Sequence, residues 1–303
     1  MDRPSASLAW SPLTMPFVVA AVIAAGAGCG GGRVSAPSAD SHAAEVLRAS
    51  LATAGGPSEG GSAAVSTGTG WGSISGRFVF AGVPGDPKQL VVDKDLEVCG
   101  KDGLRLFDRS LQVDPSSKSL AGVVVFARKV SRVKDASPPS EPLVFDQKQC
   151  EFLMPVFAAR VGRPIEVKNS DPIGHNTNIS GSAFNQLIPA GASTTYMPSA
   201  EMGLPSMVTC NIHPWMKAYV IFRKDGYVAV SGADGSFSIP DLPAGEKIEF
   251  QAWHERSVGA GGALGLDVPS LKWTAKGRFQ VELQADEQRD LGTLEVSASA
   301  IGG

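Results

Sequence analysis

The chemically most distinctive segment of the chain is the heptapeptide Cys-Asn-Ile-His-Pro-Trp-Met at residues 210–216. It presents a thiol, an imidazole and a thioether at positions i, i+3 and i+6, from Cys210, His213 and Met216. These ligand types suit copper, and electron-transfer copper sites add a second imidazole. Among the other histidines, His175 lies just after a predicted strand and is the natural source of that second imidazole.

Other metal centres and catalytic sites lack residues that they need. A Cys-x-x-His pair also occurs in zinc knuckles, but no second Cys-x-x-Cys or histidine pair completes a tetrahedral site. Cys-x-x-Cys-His for haem, a Gly-x-x-x-x-Gly-Lys phosphate loop and His-Glu-x-x-His are all missing. A fully ligated copper ion leaves no position for a substrate, so we expect no enzyme activity. The competing interpretation makes Cys210 a small buried side chain and His213 an ordinary surface residue.

Short strands separated by turns must position these residues. The run Met207–Thr209 leads into the heptapeptide, Lys217–Phe222 leads out of it, and Arg163–Lys168 precedes His175. Asp-Gly and Pro-Ala-Gly turns recur between such runs, and no long stretch with a period of 3.6 residues follows residue 70. The pattern predicts an all-β protein built from sandwiches.

The strand that ends in Asn-Ser-Asp, followed by the first histidine and later by the heptapeptide, resembles the cupredoxins. The short Cys-x-x-His-x-x-Met spacing is similar to that of the amicyanin-like members, and the resemblance covers about Phe152–Phe222. It implies a Greek-key β-sandwich that holds one type 1 copper ion. The ligands that it implies are His175, Cys210, His213 and Met216.

The same resemblance implies roles for the residues around the site. Asn176 would tie the two ligand loops together, and Gly174 could place its carbonyl near the opposite axial position. His213 would be the electron port, and Pro214 and Trp215 would form an apolar rim for transient docking of a redox partner protein. Trp215 could equally be a core residue. We therefore predict single-electron transfer; the alternatives are a non-redox cell-surface binding module and a copper storage or delivery protein.

A second β-sandwich is predicted around Asp234–Phe250, which resembles the carboxypeptidase regulatory-like (transthyretin-like) module. Ile74–Gly82 looks like the first strand of that module, and exported methylamine-utilisation-like proteins are similar in combining the two parts. Whether the copper domain is inserted in this sandwich or packs against its edge stays open. The predicted division is 1–28 signal peptide, 29–70 tether, 71–119 N-terminal strands that could belong to the second sandwich, 120–225 copper domain and 226–303 second sandwich.

The N-terminus and the remaining cysteines indicate an exported protein. The apolar run Met15–Ala25 and the small residues after it are typical of a signal peptide, and they resemble a bacterial lipoprotein cleavage site before Cys29. Cys29 would then be lipidated and would be the only membrane attachment of a periplasmic or cell-envelope protein; plain secretion is the alternative. In an oxidising compartment the leftover Cys99 and Cys150 are expected to form a disulfide rather than stay free thiols.

The composition excludes some classes of function. With 303 residues, a formal net charge of −3 and 19% charged residues, the chain offers no basic surface for nucleic acid. Residues 29–70 are mainly Gly, Ala and Ser, which cannot form a core, so we expect a disordered tether that includes His42. His254 ends a predicted strand next to Trp253 and is interpreted as a half-exposed structural residue.

Overall fold

The computed structural model describes residues 69–302. The predicted signal peptide, Cys29, His42 and nearly all of the tether lie outside these residues. In the described chain, strands form four sheets and helices are limited to short turns such as α1 (Leu96–Cys99), which confirms the all-β class. No helix within residues 69–302 has the length and apolar character to cross a membrane.

Two sheets pack into what we call the outer sandwich, with strands numbered in chain order. A single apolar core fills the space between them, with Phe78 stacked on Phe237 and Phe250 on Phe279. Across the two sheets the strands are β13 (Ser236–Pro243), β1 (Trp71–Ala81) and β16 (Gln288–Ser297), then β12 (Val228–Val230), β2 (Val124–Lys129), β14 (Lys247–Trp253) and β15 (Arg278–Glu282).

The other two sheets form the inner sandwich, which contains every strand from β3 to β11. Its core is separate from that of the outer sandwich and includes Phe145, Phe157 and Phe222. Across the two sheets the strands are β4 (Glu151–Phe152), β3 (Leu143–Lys148), β6 (Ile165–Asn169) and β9 (Ser193–Tyr196), then β5 (Val156–Arg160), β11 (Lys217–Arg223), β10 (Ser206–Thr209), β7 (His175–Ile179) and β8 (Asn185–Ile188).

The chain enters and leaves the inner sandwich between two paired strands of the outer one. β2 precedes the inner strands, β12 follows them, and the two pair antiparallel with Phe126 opposite Val228. The predicted boundary at residue 120 put β2 in the copper domain, and this is wrong because β2 pairs with β12 and β14. The run Val124–Ala127 is buried on both faces, so its sequence does not reveal which sheet it joins.

A third apolar cluster joins the two sandwiches. Val124 and Phe126 of β2 and Trp253 of β14 pack there with Ile221 of the inner strand β11. The side chains that alternate with them on β2 point into the outer core instead, because successive side chains of a strand lie on opposite faces. The same strand therefore supports both sandwiches.

Between β1 and β2, residues 82–109 lie against the inner sandwich, and we call them the covering segment. Leu106 is buried in the inner core, and Leu90, Val98 and Leu104 pack against it. The predicted disulfide is present: Cys99 of α1 is bonded to Cys150 in the turn between β3 and β4. The covering segment is thus fastened to the inner sandwich by apolar contacts and by a covalent bond.

Candidate metal centre

Three of the predicted ligands meet at one end of the inner sandwich. His175 is the first residue of β7, and Cys210 directly follows β10, which pairs antiparallel with β7. In an antiparallel pair the start of one strand lies beside the end of the other, so the side chains of His175 and Cys210 lie close together. His213 joins them from the loop before β11, and one ligand atom from each of the three lies within 4.8 Å of the other two.

A tight turn brings His213 back toward Cys210. The backbone N–H of Met216 donates to the His213 carbonyl at 2.9 Å, and the Cys210 N–H donates to the Met216 carbonyl at 3.3 Å. The Cys210 Sγ lies 3.8 Å from the His213 Nδ1, and the Nδ1 atoms of His213 and His175 are 2.9 Å apart. The three donor atoms form a compact, buried group.

The outer nitrogens of both imidazoles contact carboxylates. The His175 Nε2 lies 2.7 Å from the Asp171 Oδ2, and the His213 Nε2 lies 2.8 Å from the Asp95 Oδ2. An ionised carboxylate only accepts, so each Nε2 carries the hydrogen and each neutral ring has a lone pair on Nδ1. Two facing lone pairs at 2.9 Å repel each other unless a proton or a cation lies between them. The donor set therefore fits a metal ion.

Cys210 is placed to be a thiolate. Its Sγ accepts hydrogen bonds from the backbone N–H of Asn176 at 3.3 Å and of His213 at 3.4 Å. Burial alone would raise the pKa of this thiol, but hydrogen bonds from His175 and from the backbone N–H groups lower its pKa to about 6. The thiolate is the form of cysteine that binds metals.

His175 shows the complementary effect. Burial alone would lower the pKa of this imidazole, but its hydrogen bonds to Asp171 and Cys210 raise the pKa to about 8. In the metal-free protein a proton is therefore held among His175, Cys210 and Asp171, at the place where a cation would satisfy the same groups.

The Asn-Ser-Asp sequence before His175 builds the turn that presents it. The Asn169 Nδ2 donates to the carbonyls of Ile173 at 2.7 Å and Ile188 at 2.9 Å, and the Asn169 Oδ1 accepts from the Asp171 N–H at 3.0 Å. The turn thereby aims the Asp171 carboxylate at the outer nitrogen of His175. Sequence analysis did not include Asp171 in the candidate site, although its position four residues before the predicted ligand His175 could have revealed this contact.

Asn176 links the two loops that carry the predicted ligands. Its Oδ1 accepts from the backbone N–H of Asn211 at 3.1 Å, and its Nδ2 donates to the Asn185 Oδ1 at 2.9 Å. One side chain thus connects β7 with the heptapeptide and with β8. Gly174 lies half-buried directly before β7, and its role as a carbonyl ligand stays a prediction.

The last part of the heptapeptide divides between core and surface. Met216 is buried in the inner core beside Cys210, and its role as a fourth ligand stays a prediction. Trp215 is half-buried; its indole N–H donates to the Cys150 carbonyl at 3.1 Å, and its ring centroid lies 5.1 Å from that of His213. Pro214 is exposed, so the structure leaves docking at this rim as a prediction.

His213 does not present the accessible imidazole edge that an electron port would need. Its side chain is 0% exposed, because the covering segment brings Asp95 over its outer nitrogen. Asp95 precedes His213 by 118 residues, and no local pattern marked it as part of the site. Sequence analysis missed this contact because it depends on long-range packing.

His254 is also buried, at 2% exposure, so the expected half-exposed position is wrong. His254 directly follows β14, and its Nδ1 accepts from the Arg256 N–H at 3.2 Å. Burial lowers the pKa of this imidazole to about 4, although a backbone hydrogen bond with Ala121 opposes the change. His254 is thus held as a neutral ring and is not part of the candidate centre.

No protein-family model and no curated protein matches the chain. Similar solved structures include a mutant of amicyanin in its reduced Cu(I) form at pH 4, with 15% identity, a TM-score of 0.25 and coverage of 30% of this chain and 97% of that chain. Amicyanin from Paracoccus versutus has 16% identity and a TM-score of 0.25, with coverage of 33% of this chain and 97% of that chain.

A Cu-containing nitrite reductase from Thermus scotoductus SA-01 is also similar, with 16% identity and a TM-score of 0.26. That match covers 31% of this chain and 25% of the reductase chain. Identities and TM-scores this low do not assign a function to the chain, which therefore has to be inferred from the site itself.

Proposed function

We propose that this protein is an exported type 1 copper protein that carries single electrons between redox partner proteins. One copper ion would be held by His175, Cys210, His213 and Met216. The observation that carries the proposal is the pair of imidazole Nδ1 atoms that face each other at 2.9 Å while both Nε2 atoms are bound to carboxylates. A metal ion resolves this arrangement, and a thiolate lies beside it.

The donor types favour copper over zinc. A structural zinc site has four cysteine or histidine ligands, whereas here three such donors converge and the fourth candidate is the thioether of Met216. Thiolate with two imidazoles and a weak thioether is the ligand set of electron-transfer copper sites. Copper when bound supplies a one-electron Cu(I)/Cu(II) couple.

The residues of the chain would hold such a site still while its charge changes. His175 and Cys210 lie at the ends of two paired strands, and Asn176, next to His175, is hydrogen-bonded to the Cys210 Sγ and to the Asn211 N–H. Both imidazole rings are further oriented through their outer nitrogens. Small ligand movement favours rapid electron transfer, and the hydrogen bonds to the Cys210 sulfur would tune the potential.

The cellular location belongs to the same proposal. The disulfide between Cys99 and Cys150 supports an oxidising compartment, where such bonds persist. The predicted signal peptide would direct export to the periplasm or cell envelope, and a lipid on Cys29 would be the membrane attachment. We further propose that the outer sandwich is the carboxypeptidase regulatory-like module and carries the copper domain as an insertion.

The proposal is tested by adding Cu(II) to the copper-free protein and recording the visible spectrum. An intense blue colour is expected, because electron density moves from the Cys210 thiolate to Cu(II). Cys210→Ser should abolish the colour, and His254→Gln, a buried histidine outside the site, should keep it. Copper bound without colour would favour storage or delivery, and no copper binding would favour a non-redox binding module.

A further inference from the structure

The backbone at Asp95 is unusual for a helix N-cap. Asp95 precedes α1, where an aspartate normally accepts a hydrogen bond from a helix N–H, yet its side chain makes no capping bond. Its backbone is left-handed, with φ 48° and ψ 45°, a conformation that non-glycine residues rarely adopt. Both the missing capping bond and the left-handed backbone are unfavourable for stability. The Asp95 carboxylate instead contacts the Nε2 of His213.

The disulfide fixes this position. The N–H groups of Val98 and Cys99 donate to the Asp95 carbonyl at 2.9 and 2.8 Å, so Asp95 and Cys99 belong to one turn. On the other side of the bridge, the Cys150 N–H donates to the Asp171 Oδ2 at 2.8 Å. A single covalent bond is therefore adjacent to both carboxylates that hold the two histidines.

A second contact fastens the covering segment to the heptapeptide. The Lys94 Nζ donates to the Ile212 carbonyl at 3.1 Å, one residue before His213. Consecutive residues of the covering segment thus hold consecutive residues of the ligand loop. The contact of Asp95 with His213 is one part of a built interface.

We propose that Asp95 is a positioning residue of the copper centre. Its carboxylate fixes the imidazole of His213 and closes the outer edge of that ring to water and to direct contact with a partner. This inference rests on the proposed function, and it assigns to the covering segment the task of shielding one ligand. Its basis is the complete burial of His213, the short Asp95 contact and the anchoring of α1 by the disulfide.

The first test uses the copper-free protein and diethyl pyrocarbonate, which acylates accessible neutral imidazoles. In the wild type we expect His213 to stay unmodified, as judged by peptide mass spectrometry. Asp95→Ala should abolish this protection at His213, while His175 stays protected because Asp171 still covers it. Glu97→Ala is the matched control, since Glu97 is an exposed carboxylate two residues along the same segment.

The second test uses the copper-loaded protein and separates positioning from simple structural support. Asp95→Ala should shift the visible absorption and weaken copper binding by about 10–100-fold, as losses of such outer hydrogen bonds typically do. Asp95→Asn should restore the wild-type spectrum, because an amide oxygen can still accept from Nε2–H. A general weakening of the fold would not be rescued in this way.

Two outcomes would overturn the proposal: modification of His213 at equal rates in wild type and Asp95→Ala, or identical spectra for the two. If Asp95→Ala does not fold, the Cys99→Ser/Cys150→Ser double variant is used instead, because it releases the segment that carries Asp95. His213 should then be acylated in the double variant. If His213 stays protected in that variant, the disulfide does not hold Asp95 over the ring. Wild-type protein that never turns blue would reject the copper function, while the acylation result would still decide whether Asp95 shields His213.

Discussion

The two sandwiches treat a buried histidine in opposite ways. In the outer sandwich, the His254 Nδ1 accepts from the Arg256 N–H, a backbone hydrogen bond joins the ring to Ala121, and burial lowers its pKa to about 4. In the inner sandwich, His175 and His213 are equally buried, but each faces a carboxylate on one side and the other histidine on the second side.

The difference separates a structural histidine from one prepared to bind a ligand. His254 is satisfied as a single neutral tautomer, so a metal would have to break existing hydrogen bonds. At His175 and His213 the hydrogen bonds leave lone pairs pointing at one another, an arrangement that only a proton or a cation satisfies. Burial by itself therefore does not mark a candidate metal ligand, whereas the hydrogen-bond partners of both ring nitrogens separate His254 from His175 and His213.

The buried side chains of the two sandwiches also differ in polarity. The outer core is formed by aromatic and aliphatic side chains, including Phe78, Phe250 and Phe279. The inner sandwich buries polar side chains at the end that carries the candidate centre, among them Asn169 and Asn176. Burying polar groups costs free energy unless they are hydrogen-bonded, so a group of them at the end that carries the candidate centre is consistent with a role beyond packing.

The largest predicted effect tests whether the outer sandwich contributes stability without contributing to the site. Phe250→Ala should lower the free energy of unfolding by about 3–5 kcal/mol, because it removes a fully buried ring and leaves a cavity. Urea unfolding of the copper-free protein measures this loss. Val83→Ala, at an 88% exposed side chain, is the control and should change stability by less than about 0.5 kcal/mol.

The same Phe250→Ala variant should still turn blue with Cu(II), at the wild-type wavelength. A changed spectrum would contradict the separation of roles between the two sandwiches. It would mean that packing in the outer core affects the geometry of the candidate metal site through the apolar cluster between the sandwiches.

The next largest predicted effect is a loss of folding stability at acid pH that is caused by His254. The pKa of His254 is about 4 in the folded chain and about 6.5 when unfolded, so the unfolded chain binds the extra proton more readily between these values. The His254 contribution to stability is complete above about pH 6.5 and should fall by about 3 kcal/mol as the pH drops to about 4. Urea midpoints of the copper-free protein across this range measure the loss.

His254→Gln should flatten that part of the pH dependence, because the glutamine does not titrate. A wild-type curve with no loss in this range, or a loss that persists unchanged in His254→Gln, would show that this ring is not held neutral by burial. The contrast with the histidines of the inner sandwich would then disappear.

The smallest predicted effect sharpens the view of the inner sandwich. Asn176→Ala removes the acceptor of the Asn211 N–H and should cost about 0.5–1.5 kcal/mol, the usual net contribution of a hydrogen bond to stability. Since Asn176 joins the two ligand loops, copper should also bind more weakly. Thermal unfolding and copper titration measure the two effects.

Asn178→Ala is the matched control on the same strand, because the side chain of Asn178 makes no hydrogen bond among the described residues. If the two variants lost equal amounts of copper affinity, the loop connection through Asn176 would be unimportant, and the strand itself would be the positioning element.

The sequence predicted the parts of this protein that depend on local spacing. Alternating apolar residues and turn signals specify strands whichever sheet they enter, and the all-β class followed from them. Cys210 and His213 are three residues apart in a short loop, so their convergence needs only a turn. The expectation of export to an oxidising compartment predicted the pairing of Cys99 with Cys150 without any knowledge of the fold.

Tertiary structure alone decided what surrounds those parts. β2 joins the outer sandwich although it is buried on both faces, and an evenly apolar strand carries no information about its neighbours. Asp95 reaches His213 across 118 residues of sequence through a segment with no recognisable pattern. Residue types and short spacings define which atoms can bind a metal. Packing between distant segments decides which side of the candidate site is exposed to solvent, because this exposure depends on contacts that no local sequence pattern encodes.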